Sequence, residues 1–424
     1  MKHIPASRSA RRRTAALASG GAALMLVTSA CGGSGGGSGG GGDAADSSGP
    51  IAVGSILDET GALNIYGVAM SHATELAIKD INDNGGVLGR QLELTSYDAQ
   101  SDNAKYSQYA AQLGQRDQVS VIMGGITSAS REAIRPVADR LGIPYFYNEQ
   151  YEGGVCDKNT FLTGVVPSQQ LAALIPYAVE NYGTNIYVVA ADYNFGRISA
   201  DWVAQYAEEA GAQVVGTEFI PLESSDFGSV INNLQSAQPD VVVSLLVGGN
   251  HIAFYRQFDS TGLSDQMPIV SSTFGLGNEQ VVLSPAEAEG ITVAYPYVQE
   301  VENPANEAFV AAWQEAYGDE PVTDSAIAVW NGWHLWAEAV TQADSLEPEA
   351  VTEAMESGVS IDGPSGTVTM DGPSHHVTQN VSIAQTNDQN GFTVVETTEA
   401  VPPSFEQEVC DLVENPDTNE QFTP

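Results

Sequence analysis

Basic side chains are scarce in this chain: 15 lysines and arginines stand against 54 aspartates and glutamates, for a formal net charge of −39 over 424 residues. Nothing in such a composition can neutralise a run of phosphates, so nucleic acid is excluded as a partner. The body is a poor fit for anionic lipid headgroups for the same reason, and its acidity reads as solubility rather than as a binding surface. Cysteine is nearly absent, with 3 residues and no Cys/His cluster at metal-ligand spacing. No apolar run approaches the ~20 residues of a membrane-spanning helix; the stretch 241–247 is too short and reads as a central strand. Enzyme signatures are missing too. There is no glycine-rich loop ending in Gly-Lys-Ser/Thr and no dinucleotide fingerprint. A Gly-x-Ser-x-Gly pattern at 32–36 lies in a Gly/Ser tract, where no strand-to-helix turn can hold it. No catalytic residue, metal or cofactor is expected.

What is present begins at the N-terminus. Lys2, Arg8, Arg11, Arg12 and Arg13 form a basic start without an acidic residue, followed by a small and apolar stretch over 15–27 and then Thr28, Ser29, Ala30 and Cys31. Basic, apolar, small, cysteine is the order of an export signal ending at a lipid-modifiable cysteine. Thr28 stands where such signals usually carry leucine, and the arginine run resembles a twin-arginine signal, so the export route stays open. Gly/Ser repeat to Gly42 then makes a flexible tether. The expectation is a globular body outside the cytoplasm, held at the cell membrane through lipid on Cys31. Loss of the five basic residues of the signal would take the charge from −39 to −44. Of the other cysteines, an oxidising compartment permits Cys156 to pair with Cys410, which would pin the C-terminal tail to the body.

Beyond the tether, roughly 380 residues exceed what one core usually holds, which points to two lobes. Short β-branched runs alternate with amphipathic segments. Strands are expected at 51–53, 92–97, 119–123, 145–147, 186–190, 214–219, 241–246, 269–271 and 291–294. Helices are expected between them, including 70–81, 130–141 with Pro136 as a kink, and 198–210. Such alternation means parallel sheets covered on both faces, an α/β class. The last third changes to helices over 306–317, 326–343 and 348–356, then strands over 366–370, 377–384 and 392–395. His375 and His376 point apart on a strand and read as structural. Trp330, Trp333 and Trp336 recur at helical spacing and read as core.

Polar and aromatic residues gather where expected strands end, which is where open α/β sheets bind ligands. Thr127 and Ser128 follow 119–123; Tyr147, Glu149 and Gln150 follow 145–147; Asp192, Tyr193 and Phe195 follow 186–190; Asn250 follows 241–246. Two strand ends from each half suit a small polar molecule sandwiched between aromatic rings.

At these residues the chain resembles the type 1 periplasmic-binding-protein-like receptors that feed ABC importers, and within them the urea and short-chain-amide branch. The resemblance rests on GGVLGR at 85–90, TSASR at 127–131, QYEG at 150–153, FLTGVVPSQQ at 161–170, ADYNFGR at 191–197, PDVVVS at 239–244 and GPSGTVTMDGPSHH at 363–376. It implies two doubly wound lobes joined by a three-segment hinge, closing on a ligand and docking on a permease as a monomer. The first lobe would take 51–167 and 297–362, the second 168–296 and 363–398, with a tail over 399–424. By the same resemblance Thr127 and Ser128 form the hydroxyl loop of lobe one, Tyr147, Glu149 and Gln150 line the hinge side, and Tyr193 and Phe195 are the aromatic pair of lobe two. The chain departs from the urea branch at Ile126, Asn148 and Gly196, and its DYNFG is closer to branched-chain amino-acid receptors. Glu149 or Asp192 would suit an ammonium group. Urea or a short-chain amide is the expected ligand, with a branched-chain amino acid as the alternative.

Overall fold

A computed structural model describes residues 49–424. The export signal, Cys31 and the tether fall outside the described residues, as does the side chain of Asn250. The chain opens with β1 (Ile51–Leu57), α1 (Asn64–Asp83), β2 (Leu92–Asp98), α2 (Asn103–Gln115), β3 (Ile122–Gly124), α3 (Ser128–Leu141), β4 (Tyr145–Tyr147), β5 (Val155–Asp157) and β6 (Thr160–Leu162). Five of these strands form an all-parallel sheet in the order β2-β1-β3-β4-β6. The chain then crosses into α4 (Pro167–Tyr182), β7 (Asn185–Ala191), α5 (Asn194–Glu209), β8 (Gln213–Ile220), α6 (Gly228–Ala237), β9 (Val241–Leu245) and α7 (Asn250–Ser260). There follow β10 (Ile269–Ser271), the short helices α8 (Glu279–Val282) and α9 (Pro285–Ala288), and β11 (Thr292–Tyr295).

Three helices next return toward the first sheet: α10 (Pro304–Tyr317), α11 (Asp324–Ala343), which packs along α1, and α12 (Pro348–Glu356). The chain goes back once more as β12 (Ser360–Gly363), β13 (Gly366–Asp371), β14 (His376–Thr386) and β15 (Phe392–Val401). The second sheet runs β12-β13-β14-β11-β10-β9-β7-β8, with β15 on β14. It is parallel from β8 to β11 and antiparallel beyond. This is the type 1 periplasmic binding protein fold, two α/β lobes with three chain passages between them.

Local chemistry explains the elements that matter for the site. Helix α1 buries Met70, Ala73, Ala77 and Ile81 at helical spacing, as expected. It starts six residues before the expected 70, at Asn64, because Leu63 gives no side-chain cap to announce it. Helix α3 is capped by Thr127, whose side chain accepts from Ser130 N–H, and it stops at Gly142 in the left-handed region. Thr323 caps α11 in the same way. Trp333 and Trp336 on α11 are fully buried and Trp330 partly so, the core role expected of them. β3 sits at 122–124 rather than 119–123, and the three-residue strands β5 and β6 carry too few residues for any period to show.

The tail is fastened to the body. Helix α13 (Ser404–Val409) and strand β16 (Asn419–Gln421) end the chain, with β16 antiparallel to β5. Cys156 on β5 is bonded to Cys410, Cα to Cα 5.6 Å. Glu406 accepts from Gly154 N–H at 3.2 Å and Ser168 Oγ at 2.7 Å. The two histidines face different partners: His375 Nε2 meets Glu356 at 3.4 Å, while His376 Nδ1 meets the Ser374 carbonyl at 2.7 Å. Burial drives the His376 pKa down to about 3. Among the described residues no group of His, Cys, Asp and Glu is arranged to hold a metal ion.

Candidate ligand-binding site

Both sheets reverse their strand order at one point, between β1 and β3 in the first and between β7 and β9 in the second. Ligands bind outside the carboxyl ends of strands at such points. Gly124 ends β3 at φ +134°, and a Cβ there would lie 2.0 Å from the Ile56 carbonyl, so only glycine lets β3 turn beside β1. Gly196 does the same for lobe two, since its Cβ would lie 2.0 Å from the Ala191 carbonyl and block the entry into α5.

These strand ends line a narrow, partly open cavity of about 20 Å³. The first lobe contributes Tyr66, Ile126, Thr127, Glu149 and Gln150; the second contributes Tyr193, Phe195, Val247, Thr273 and Leu276. Tyr193 and Phe195 stand side by side with ring centroids 6.0 Å apart and form one wall. Ile126, Val247 and Leu276 make the rest largely aliphatic. No lysine or arginine lines it.

Glu149 is the one acid in the lining. Its Oε1 accepts from its neighbour's N–H, Gln150, and from Ser325 Oγ, each at 3.0 Å. Its Oε2 is buried without a partner. Burial pushes its carboxyl up to about 7, against the lowering effect of those two hydrogen bonds. Asp324, at the start of α11, is raised well above its ordinary value by burial and then by the charge of Glu149. Gln150 is fixed from behind: its Oε1 accepts from Gln170 Nε2 at 2.9 Å, and Gln170 is tied to the Ser272 and Ala294 carbonyls.

Three of the expected site residues turn their polar groups to other partners in this structure. Ser128 donates to Glu152 Oε2 at 2.5 Å, because the buried Arg131–Glu152 pair, 2.9 Å apart, recruits every polar group beside it. Tyr147 turns its hydroxyl to the Ile126 carbonyl at 2.6 Å and gives its ring face to Arg131, 5.3 Å away. Asp192 is exposed and pairs with Arg197 at 2.5 Å. Thr127, Glu149, Gln150, Tyr193 and Phe195 do line the cavity. Sequence reading missed Tyr66, Val247, Thr273 and Leu276. Thr273 follows the expected strand 269–271 directly, so the strand-end rule applied to one more strand would have found it.

A family model described as "Periplasmic binding protein" matches residues 50–391. The chain belongs to that family. It is 25% identical over 340 residues to the "Leu/Ile/Val-binding protein homolog 7" of Brucella abortus (strain 2308), covering 75% of this chain and 84% of that protein. Among solved structures it is similar to a solute-binding protein of an ABC transporter from Rhodopseudomonas palustris BisB5 in complex with 3,4-dihydroxybenzoic acid. The TM-score is 0.76 at 21% identity, over 84% of this chain and 99% of that one. It is also similar to the branched-chain amino acid transporter substrate-binding protein of Streptococcus pneumoniae in complex with isoleucine. That TM-score is 0.71 at 20% identity, over 82% and 99% of the two chains. This periplasmic binding protein is thus related in sequence to the Leu/Ile/Val-binding protein homologues. Among its described residues no helix is long and apolar enough to cross a membrane.

Proposed function

We propose that the protein captures a small solute with an aliphatic body and a protonated amine, an aliphatic amino acid, and delivers it to an ABC importer outside the cytoplasm. The unpartnered, buried Oε2 of Glu149 carries this reading. A buried carboxylate with one oxygen unpartnered and no counter-charge costs several kcal/mol by order of magnitude, which an ammonium ligand offsets by supplying both charge and donors. Around it, Ile126, Phe195, Val247 and Leu276 suit a branched aliphatic chain. Thr127, at the N-terminus of α3, offers a hydroxyl and free helix N–H groups to a carboxylate.

A short-chain amide is the second reading, and one observation favours it. With its pKa near 7, Glu149 is partly protonated at neutral pH and is then a donor to an amide carbonyl. Calorimetry at pH 8 with leucine, isoleucine, valine, propionamide and urea separates the two. Aliphatic amino acids should bind; heat from propionamide or urea alone would leave only the amide reading.

The extracytoplasmic site of action rests on the N-terminal pattern. Lipid on Cys31 would hold the tether at the membrane, stably if more than one chain is attached. Cys31→Ser should move the protein from the membrane fraction to the medium, and a wild-type protein already soluble there would rule the anchor out.

A further inference from the structure

Thr273 does not act alone on the cavity wall. Its Oγ1 lies 3.0 Å from His251 Nε2, and His251 Nδ1 lies 3.1 Å from Glu279 Oε1. All three residues are buried, His251 and Glu279 completely. Glu279 Oε2 already accepts two backbone N–H groups, from Gly275 at 2.7 Å and Gly277 at 3.1 Å. As a carboxylate Glu279 can only accept, so its bond to His251 comes through an Nδ1–H. In the neutral ring Nε2 is then an acceptor, and the proton between it and Thr273 belongs to the threonine.

The other neighbour of Thr273 leads to the same assignment. Ser271 Oγ lies 3.4 Å from Thr273 Oγ1. It spends its proton on the Ser244 carbonyl at 2.9 Å and accepts the N–H groups of Thr273 and Phe274 at 3.2 and 3.0 Å. It has neither a proton for Thr273 nor a lone pair to take one.

We infer that Thr273 presents only acceptor lone pairs to the cavity, its polarity fixed by His251 and Glu279, and that it joins Glu149 in selecting a ligand nitrogen that carries N–H donors. The selection of a nitrogen rests on the ligand class proposed above; the polarity of Thr273 does not. Glu279 and His251 are positioning residues, and Thr273 is the one that touches ligand. With Glu149 ionised, a ligand presenting only acceptors at this end, such as a carboxylate or a tertiary amide, meets two acceptors and is rejected.

Two measurements on the full chain test this. Long-range 15N–1H correlation spectra of the ligand-free protein at neutral pH should show His251 as the Nδ1–H tautomer with Nε2 unprotonated. An Nε2–H ring, or an imidazolium, would turn the threonine proton toward the cavity and overturn the inference without reference to any ligand. Affinities are then compared for leucine and for 4-methylpentanoate, which lacks the amine. Thr273→Val keeps the shape and removes the acceptor, so leucine should weaken about tenfold or more, 4-methylpentanoate should not, and Thr273→Ser should retain leucine binding. Equal leucine affinity in Thr273→Val would overturn it. If wild-type protein binds propionamide and no amino acid, the amino-acid reading fails. The same comparison against N,N-dimethylpropionamide, which has no N–H, then decides: discrimination lost in Thr273→Val sustains the inference, and discrimination unchanged ends it.

Discussion

Tyr66 on α1 accepts a hydrogen bond from the backbone N–H of Gly248, beyond the end of β9, at 2.7 Å. The two residues belong to different lobes, and Tyr66 also lines the cavity. Leu63 beside Gly248 and Ile65 beside Gly277 flank this contact. It joins the two lobes at the cavity, and so favours the closed form over the open one.

Tyr66→Phe keeps the ring and removes the acceptor for Gly248. The closed form loses about 1 kcal/mol relative to the open one, a neutral hydrogen bond's usual net worth. Ligand release should quicken roughly fivefold while the thermal stability of the body changes little. Stopped-flow dissociation would measure it, and an unchanged off-rate would show that this contact does not hold the cleft shut.

Glu149 should make both stability and binding depend on pH. Its carboxyl is raised from 4.5 to about 7 in the folded protein by burial. Between those values the native state keeps a proton that the unfolded chain has released. Stability therefore falls as pH rises through this window, by ~3 kcal/mol for the full shift. Glu149→Gln cannot ionise, so its stability relative to wild type should improve between pH 5 and pH 8 in paired urea titrations. Binding has the opposite sign for an ammonium ligand, which needs the ionised carboxylate. Leucine affinity should drop about tenfold per unit below pH 7, and a pH-independent affinity from 5.5 to 8 would mean that no cation sits on Glu149.

The Arg131–Glu152 pair sits behind the cavity wall with both side chains fully buried. Burial raises the Glu152 carboxyl, but Arg131, Ser128 and Gln421 together hold it below the ordinary value. Its contribution is therefore present above the unfolded carboxylate pKa and lost as pH falls through the depressed folded one. Glu152→Gln would leave the guanidinium, beside the Tyr147 and Tyr151 rings at 5.3 and 4.7 Å, with the half-buried Glu132 at 3.0 Å as its remaining carboxylate. The expected cost is roughly 3–5 kcal/mol at pH 7, read by urea denaturation. A loss under 1 kcal/mol would mean that water reaches the pair.

Much of this architecture was legible because it is periodic. α1 and α5 bury stripes that a period of 3.6 reveals, β9 reads as a short apolar run buried throughout, and the strand-end rule then pointed to Thr127, Glu149, Gln150, Tyr193 and Phe195 in the cavity lining. What failed was direction. Ser128 and Thr127 are adjacent hydroxyls at one helix start, yet Thr127 reaches the cavity and Ser128 is drawn to Glu152. That choice depends on Arg131 and on Gln421, the latter 269 residues from Glu152 in sequence. Asp192 was misjudged because its partner Arg197 lies one helical turn on, at the surface. Thr273 lies just beyond β10, His251 and Glu279 lie at the starts of α7 and α8, and the three share no spacing.

The tail makes the last prediction. Gln421 on β16 donates to Glu152 Oε1 at 2.7 Å, and Asn419 accepts from Arg135 at 2.7 Å, so the tail reaches the residues that support the cavity loop. The Cys156–Cys410 bond closes a sequence separation of 254 residues and fastens this strap at its midpoint. Such a long loop is costly to close in the unfolded chain, and removing a native disulfide typically costs roughly 2–5 kcal/mol. Cys156→Ser with Cys410→Ser should lower stability by that order. It should also raise amide exchange at 404–424 and at 150–157, while β7 and β9, inside the second sheet, stay protected. Ligand affinity should weaken with it, because Glu149 and Gln150 begin the loop that the strap braces. Exchange rising uniformly over both sheets would indicate global destabilisation. Exchange confined to the tail, with affinity intact, would show that the strap does not support the site.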